Sequence, residues 1–463
     1  MNILRASQLN NNGSNLNNNM NGNMNGNTNN NVNNNINNLN NRNIGNNRDV
    51  SNNIDTGRLQ INVTSAITSF PVADATISIS YTGVPEATLE QLRTNSSGQT
   101  ETIELDAPPV ELSLNPNNEI QPYSEYTLNV TAPGFEPISI SGTEILANET
   151  ALQNITMNPS EPDETGEEVF VIPGHTLYEE YPPKIPEPEI KPVRETGEIV
   201  LSRVVVPEFI VVHDGTPNDT TARNYYVKYR DYIKNVASCE IYATWTDAAI
   251  RANVLAIMSF TLNRVYTEFY RNRGYDFTIT SSTAFDHKFV YGRNIFDTIS
   301  QIVDEMYGNY LARPGIKQPI LTQYCDGERV TCPNWMTQWG SQALGKKGYS
   351  ASEILRYYYG DSIYIATAEE VSGVPSSFPG YDLEMGSYGE SVLTIQEQLN
   401  TISESYPAIP RVSEDGIYGN ATANAVRIFQ SIFNLPQTGV VDYRTWYRIS
   451  EIYVAVTRIA ELM

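Results

Sequence analysis

The chain has 463 residues, room for about three domains, with 53 acidic against 30 basic residues and a formal charge of −23. Nucleic acid and anionic lipid both call for clustered Lys and Arg, so this balance argues against either as a partner. The sequence holds no apolar run long enough to span a membrane, and its opening MNILRASQLNNN lacks the apolar core of a secretory signal, so synthesis in a cytosol is expected.

Residues 1–56 are dominated by Asn with scattered Gly and little to bury, the composition of a disordered polar tract. Residues 57–159 read as short strands. LQINV alternates at Leu59, Ile61 and Val63, and ATISIS at Ala75, Ile77 and Ile79. YTLNV, the turn APGF and PISIS form a strand pair, and ALQNITM closes the set. Strands at this spacing predict a small β-sandwich. TISISY, TNSSGQT and YTLNVTAPGFEP resemble the transthyretin-like and carboxypeptidase regulatory-like sandwiches, and the resemblance implies a binding domain or pro-domain.

Residues 160–206 are rich in Pro and Glu and predict an extended connector, with His175 exposed. Its apolar residues, in VFVIPGHTLYEEYPP, are placed to lie along a neighbouring domain. EFIVVH then forms a short buried-type strand. His213 beside Asp214 looks like a catalytic pair, but adjacent strand residues face opposite ways, so His213 is read as structural.

In DYIKNVASCEIYATW, Tyr232, Ile233, Val236 and Ala237 recur at helical spacing, and Glu240 falls on the same apolar stripe. Burial there raises a carboxyl's pKa and favours the protonated form, which can donate to a leaving oxygen. The plainer alternative ends the helix near Cys239 and turns Glu240 to solvent. Thr246 caps a second helix with a face of small residues from Ala248 to Asn263. Thr280, Ser281, Ser282 and Thr283 suit an extended segment lining a sugar groove, or an ordinary sheet. The run from Ile295 through Tyr310 predicts an amphipathic helix.

DYIKNVASCEIYATW, AAIRANVLAIMSFTLNR, TSSTAFDHKFVYGR and MTQWGSQALGKKGYSASEILRYYYGD together resemble the stage II sporulation protein D family, over residues 207–365. The resemblance implies an α+β catalytic domain and makes Glu240 the catalytic acid of a peptidoglycan lytic transglycosylase. It also matches Gln338, Trp339 and Gly340 to a groove-lining motif, where a tryptophan stacks on a sugar.

Cys325 and Cys332 have six residues between them across a DGE turn. A disulfide, a zinc site with Cys239 or His287, and free buried thiols compete as readings. The usual zinc spacing is not matched, so no cofactor is expected, with zinc as the alternative. Ser350 is placed to cap a closing helix.

Residues 366–385 are a second predicted linker. Residues 386–463 carry the most specific motif: a D-G-x-aromatic-G-x-x-T turn at Asp415, Gly416, Tyr418, Gly419 and Thr422, the pair Phe429–Gln430, and a late G-x-V-D-x-x-T-W ending at Trp446. It resembles the peptidoglycan-binding domain 1 family, a three-helix module whose motif residues are mostly structural. The expected fold class is therefore multidomain α+β: a β-sandwich, a central α+β domain and a C-terminal three-helix module.

The three blocks in this order resemble the clostridial spore cortex-lytic enzymes. That implies cortex peptidoglycan as substrate, deposition in the spore by the mother cell, and synthesis as a zymogen cut by a germination protease. The matching stretch GEEVFVIPGH puts the cut near Glu168–Val169. Two rivals stand beside this: a non-catalytic wall-binding protein that enhances an amidase, and an amidase itself. Three scattered histidines do not make the usual zinc amidase ligand set.

Overall fold

The computed structural model describes residues 54–160, 166–191 and 201–457. The expected disorder of the Asn-rich tract lies almost wholly outside the described residues. Eight strands come first: β1 (Asp55–Ser65), β2 (Thr76–Tyr81), β3 (Thr88–Arg93), β4 (Ile103–Ala107), β5 (Ser124–Thr131), β6 (Ile138–Ile145), β7 (Thr150–Met157) and β8 (Glu168–Val171). They build two sheets, one ordered β7-β1-β4 and the other β3-β2-β5-β6-β8. The period-two pattern does its expected work. Leu59, Ile61 and Val63 turn inward from one sheet, and Ile77, Ile79, Leu128 and Val130 from the other, all fully buried.

Two expectations change at the domain's edge. The connector was expected to be unpaired, yet Glu168–Val171 adds to the sheet as β8, parallel to Ile138–Ser141. Edge strands take any chain that offers the right alternation, and here Val169 and Val171 face out while Phe170 turns inward. The predicted helix from Ile295 starts only at Asp297. Ile295 and Phe296 instead pair with Leu152 and Ala151 of β7, extending the sandwich sheet from the next domain.

The central domain continues the chain: β9 (Val205–Val206), β10 (Phe209–His213), β11 (Asn224–Lys228), α1 (Tyr229–Glu240), α2 (Asp247–Tyr266), β12 (Ile279–Thr280), β13 (Ile295–Phe296), α3 (Asp297–Met306) and β14 (Asn309–Ala312). Then come β15 (Tyr324–Cys325), β16 (Met336–Thr337), α4 (Gln338–Lys346), α5 (Ala351–Tyr359), β17 (Tyr364–Thr367) and β18 (Glu370–Val371). The helix α2 is its axis, buried on almost every side. Thr246 caps it by accepting from the Ala249 amide. Small residues let α4 approach, and the polar ones are satisfied: Asn253 donates to Ser341 Oγ at 2.7 Å and Ser259 to the Ile320 carbonyl at 2.9 Å. Ser350 and Glu353 close a capping box on α5. The predicted linker 366–385 is also built in. The strand β17 pairs with β14, β18 pairs with β9, and Phe378 packs edge-on to Trp446 at 6.2 Å.

The C-terminal module is α6 (Glu390–Ser405), α7 (Asn420–Ile432) and α8 (Tyr443–Thr457). Two buried glutamines organise its turns. The Gln396 side chain accepts from the Asp415 and Gly416 amides and donates to the Ile417 carbonyl. Gly416 sits at φ +66°, where a side chain is strained. Gln430 accepts from the Gly439 amide and donates to the Val440 carbonyl. Tyr418 donates to the Gly439 carbonyl, Thr422 is buried against Gln396, and Gly419 is the N-cap of α7. Trp446 donates to the Ser376 carbonyl at 3.1 Å. These motif residues are therefore the module's scaffold. Gln396→Ala leaves two amides without their acceptor, at about 1–3 kcal/mol each. The expected result is a lower denaturant midpoint for this module; an unchanged midpoint would refute the scaffold role.

Candidate active site

Glu240 is the last residue of α1 and is 3% exposed. The alternative in which it turns to solvent is therefore not the one the chain takes. Its apolar neighbours on the stripe, Ile233, Val236 and Ala237, are fully buried, and the helix carries the carboxylate in with them. Each oxygen is held. The Lys288 amide donates to Oε1 at 2.7 Å, and the Tyr324 hydroxyl donates to Oε2. Asn235, one turn earlier on α1, brackets Val290 through both its amide and its carbonyl, which aligns the Lys288 segment. Gln338 donates to the Glu240 carbonyl at 3.0 Å. Burial pushes the Glu240 carboxyl above the ordinary carboxylate range, while Lys184 and the Lys288 and Tyr324 donors pull against it.

The cleft at Glu240 is lined by Thr283, Tyr324, Gln338 and Arg329, and on its other side by Tyr181, Pro182, Pro183 and Lys184. Its free volume is about 60 Å³. A pocket that encloses a small-molecule ligand is roughly 300–1,000 Å³.

Among the hydroxyl residues proposed for a groove, Thr283 reaches the cleft. Thr280 does not: it is fully buried, and its amide and hydroxyl both donate to Asp286 at 2.9 and 2.7 Å. The Ser281 amide is tied to the His213 carbonyl at 2.9 Å, and the Ser282 carbonyl accepts from Phe285 and Asp286 in a turn. Asp286 is the reason, since it draws this segment inward to meet Arg264 and Tyr270. Trp339 is 7% exposed, packed at 4.9 Å on Trp245 and 6.1 Å on Tyr242, so it holds α4 in place and offers no sugar platform here. Gly340 lies where a Cβ would strike the hydroxyls of Thr337 and Tyr358.

Cys325 and Cys332 are joined in a disulfide, Cα to Cα 5.8 Å. An oxidised pair offers no thiolates, which removes both from the candidate zinc set. Cys239 is free and buried, with Asn235 as its partner. His287 is fully buried, its Nδ1 at 3.0 Å from the Tyr232 hydroxyl. Among the described residues no three His, Cys, Asp or Glu side chains gather as a metal site. His213 is structural, 2.8 Å from Asn224 and stacked on Phe277. His175, expected to be exposed, is fully buried, stacked at 4.4 Å on Tyr242. Burial holds it well below the usual histidine range, so it is neutral.

Sequence reasoning did not single out Tyr324 or Lys184. Tyr324 directly precedes Cys325 and the DGE turn, with nothing in the spacing to mark it. Lys184 lies in a Pro-rich stretch whose composition reads as solvated linker.

Residues 388–449 match the peptidoglycan binding domain family. The C-terminal module thus ties the chain to the cell wall, with peptidoglycan as its partner. No described helix is long and apolar enough to cross a membrane. No curated protein sequence matches the chain. Among solved structures, the SleB N-terminal domain aligns at 27% identity over 17% of this chain and 99% of that one, with a TM-score of 0.15. The Bacillus anthracis TIE protein aligns at 12% over 23% of this chain and 17% of that one, TM-score 0.16. Klebsiella pneumoniae 5-hydroxyisourate hydrolase aligns at 18% over 22% of this chain and 92% of that one, TM-score 0.16.

Proposed function

We propose that this is a spore cortex-lytic enzyme, similar to clostridial SleC, that cleaves the glycan strand of peptidoglycan as a lytic transglycosylase. The observation that carries the reading is Glu240: a carboxyl buried at a helix end, held on both oxygens and shifted toward its protonated form. Glu240 protonates the glycosidic oxygen between N-acetylmuramic acid and N-acetylglucosamine as the C1–O bond breaks. The C6 hydroxyl oxygen then bonds to C1, and its proton goes to the Glu240 carboxylate. The products are a free hydroxyl end and a 1,6-anhydro ring. Water does not attack, so the second carboxylate of ordinary glycosidases is not needed.

The binding module holds the enzyme on its insoluble polymer and raises its local concentration there. Full-length protein is expected to pellet with purified peptidoglycan; protein left in the supernatant would remove this support. Synthesis as a zymogen fits the narrow cleft, with the sandwich as pro-domain and Glu168–Val169 as the cut.

Mass spectrometry of digested cortex tests the reaction. Anhydro ends are expected. Free reducing ends would make the protein a hydrolase, and liberated stem peptides an amidase. An unchanged polymer, with a cut chain that has shed its sandwich, would favour a non-catalytic enhancer.

A further inference from the structure

The segment expected to be a free linker is a strap suspended between two posts. Its first post is on the sandwich. The Ile172 amide donates to the Ser141 carbonyl of β6 at 2.8 Å, and the His175 amide to the Tyr123 hydroxyl at 3.0 Å. Just beyond, Thr176 bonds the Cys239 carbonyl at the end of α1 with both its amide and its hydroxyl. Its second post is on the central domain. Gln323 donates to the Ile185 carbonyl and accepts from the Glu187 amide, as a strand partner would. Arg264 grips Glu187 with two nitrogens, at 2.5 and 3.1 Å. Gln318 holds Lys191 through both main-chain groups, and Arg313 pairs with Glu189.

Between the posts the chain crosses the cleft of Glu240. Pro182 and Pro183 form its roof, the Pro182 carbonyl accepting from Thr283 at 3.4 Å. Lys184 is turned down into the cleft and is 9% exposed. Its amine bonds the Asp286 carbonyl and lies 5.2 and 5.4 Å from the ring centroids of Phe260 and Tyr324. Those rings also pack against His287, so the strap closes over the same layer that carries Tyr324 and Glu240. With this roof in place the cleft leaves about 60 Å³ beside the Glu240 carboxyl, too little to take in a sugar ring.

We infer that Thr176–Lys184 is an autoinhibitory strap, which the sandwich holds across the glycan groove and which Lys184 plugs. The inference rests on the reading of Glu240 as the reacting group. The blocking element is then not the sandwich itself. A cut at Glu168–Val169 lies upstream of the strap and leaves it on the enzyme. Only when the sandwich departs does the first post fall away, which leaves the His175 stack on Tyr242 and the Thr176 bonds to the Cys239 carbonyl as the strap's remaining upstream hold before its hinge at Ile185.

The test uses the full chain with a site-specific protease sequence inserted between Glu168 and Val169. Deuterium exchange at the Thr176 amide and release of anhydro-ended products from purified cortex are followed together. In the intact parent chain Thr176 is protected and product release stays at a low basal rate. Once the cut chain has shed its sandwich, Thr176 is expected to exchange roughly 100-fold faster, as an amide does when its element opens locally, and product to appear. In the uncut chain, Lys184→Ala and Tyr123→Phe should each raise product release about tenfold over the uncut parent, because one empties the plug and the other removes an anchor. If the sandwich-free chain is active with Thr176 still protected, the strap is a fixed wall and the inference fails while the enzyme reading stands. If Thr176 is freed but no glycan bond breaks, the strap stands and the transglycosylase reading fails. An uncut parent chain, or a cut parent still complexed with its sandwich, that releases product as fast as the sandwich-free chain overturns the inference.

Discussion

Glu240→Gln is expected to abolish release of anhydro-muropeptides while the fold stays intact. The amide keeps the shape of the carboxyl: its oxygen can accept from the Lys288 amide while its NH2 donates to the Tyr324 hydroxyl oxygen, so packing at the end of α1 is preserved. It cannot give a proton to the glycosidic oxygen or take one from the C6 hydroxyl. General acid–base catalysis is worth roughly 10²–10⁴-fold, and here one group serves both steps, so the loss should reach the upper part of that range. The measurement is product release by the cut, sandwich-free chain, with thermal unfolding as the control for folding. Near-normal turnover by Glu240→Gln would remove Glu240 from the chemistry. A companion expectation concerns pH. Burial raises the Glu240 carboxyl above the ordinary range, so the protonated form persists to higher pH than for a solvated glutamate. Departure of the strap takes Lys184 away, which removes a downward pull, but it also admits water, which lowers the carboxyl. The alkaline limb of the rate profile reads the balance of the two.

The burial of Glu240 is the part of this site that was legible in the sequence. Apolar spacing placed Glu240 on the buried face of its helix, and α1 confirms that face through Ile233, Val236 and Ala237. Alternation marked the strands of the sandwich because only one face of each sheet is buried. What could not be read is long-range pairing. Nothing local to Ile295–Phe296 says that these residues leave a helical pattern to join a sheet whose partner, Ala151–Leu152, lies far earlier in the chain. The Thr280–Thr283 segment reads as hydroxyl-rich and exposed until Asp286 is seen to claim Thr280. Trp339 reads as a sugar platform until Trp245 and Tyr242 cover it. The connector that carries the strap is the largest departure. Pro and Glu predict solvated chain, yet its carboxylates Glu187 and Glu189 each meet an arginine of the central domain, which composition alone cannot foresee.

The second large effect is expected where the sandwich meets the central domain. Arg293 and Glu144 form an ion pair with both side chains 1% exposed. Asn294 frames it, accepting from the Glu144 amide at 2.9 Å and donating to the Glu144 carbonyl at 3.0 Å. Next to it, β13 pairs with β7, and across the same interface Trp245 donates to the Ser113 carbonyl. After a cut at Glu168–Val169 these contacts still hold the sandwich in place. Arg293→Ala leaves Glu144 buried without its partner, a loss of about 3–5 kcal/mol where the orphaned group stays charged. The cut Arg293→Ala chain should therefore separate from its sandwich on gel filtration under conditions in which the cut parent elutes as one species.

The pH dependence of this docking follows from Glu144. Burial pushes its carboxyl up to about 7, against the downward pull of Arg293 and with a smaller upward push from Glu125. Freed from the interface, the same carboxyl returns to the ordinary range near 4.3. A raised pKa in the docked state means that the docked state holds the proton more tightly. Its contribution to docking is full below the ordinary range and is lost as pH rises through about 7. Separation of the cut sandwich should thus speed up between mildly acidic and neutral pH, and Glu144→Gln should flatten that rise. A cut parent whose separation slows as pH rises over this window would show that Glu144 stays ionised in the interface, with Arg293 as the stronger influence.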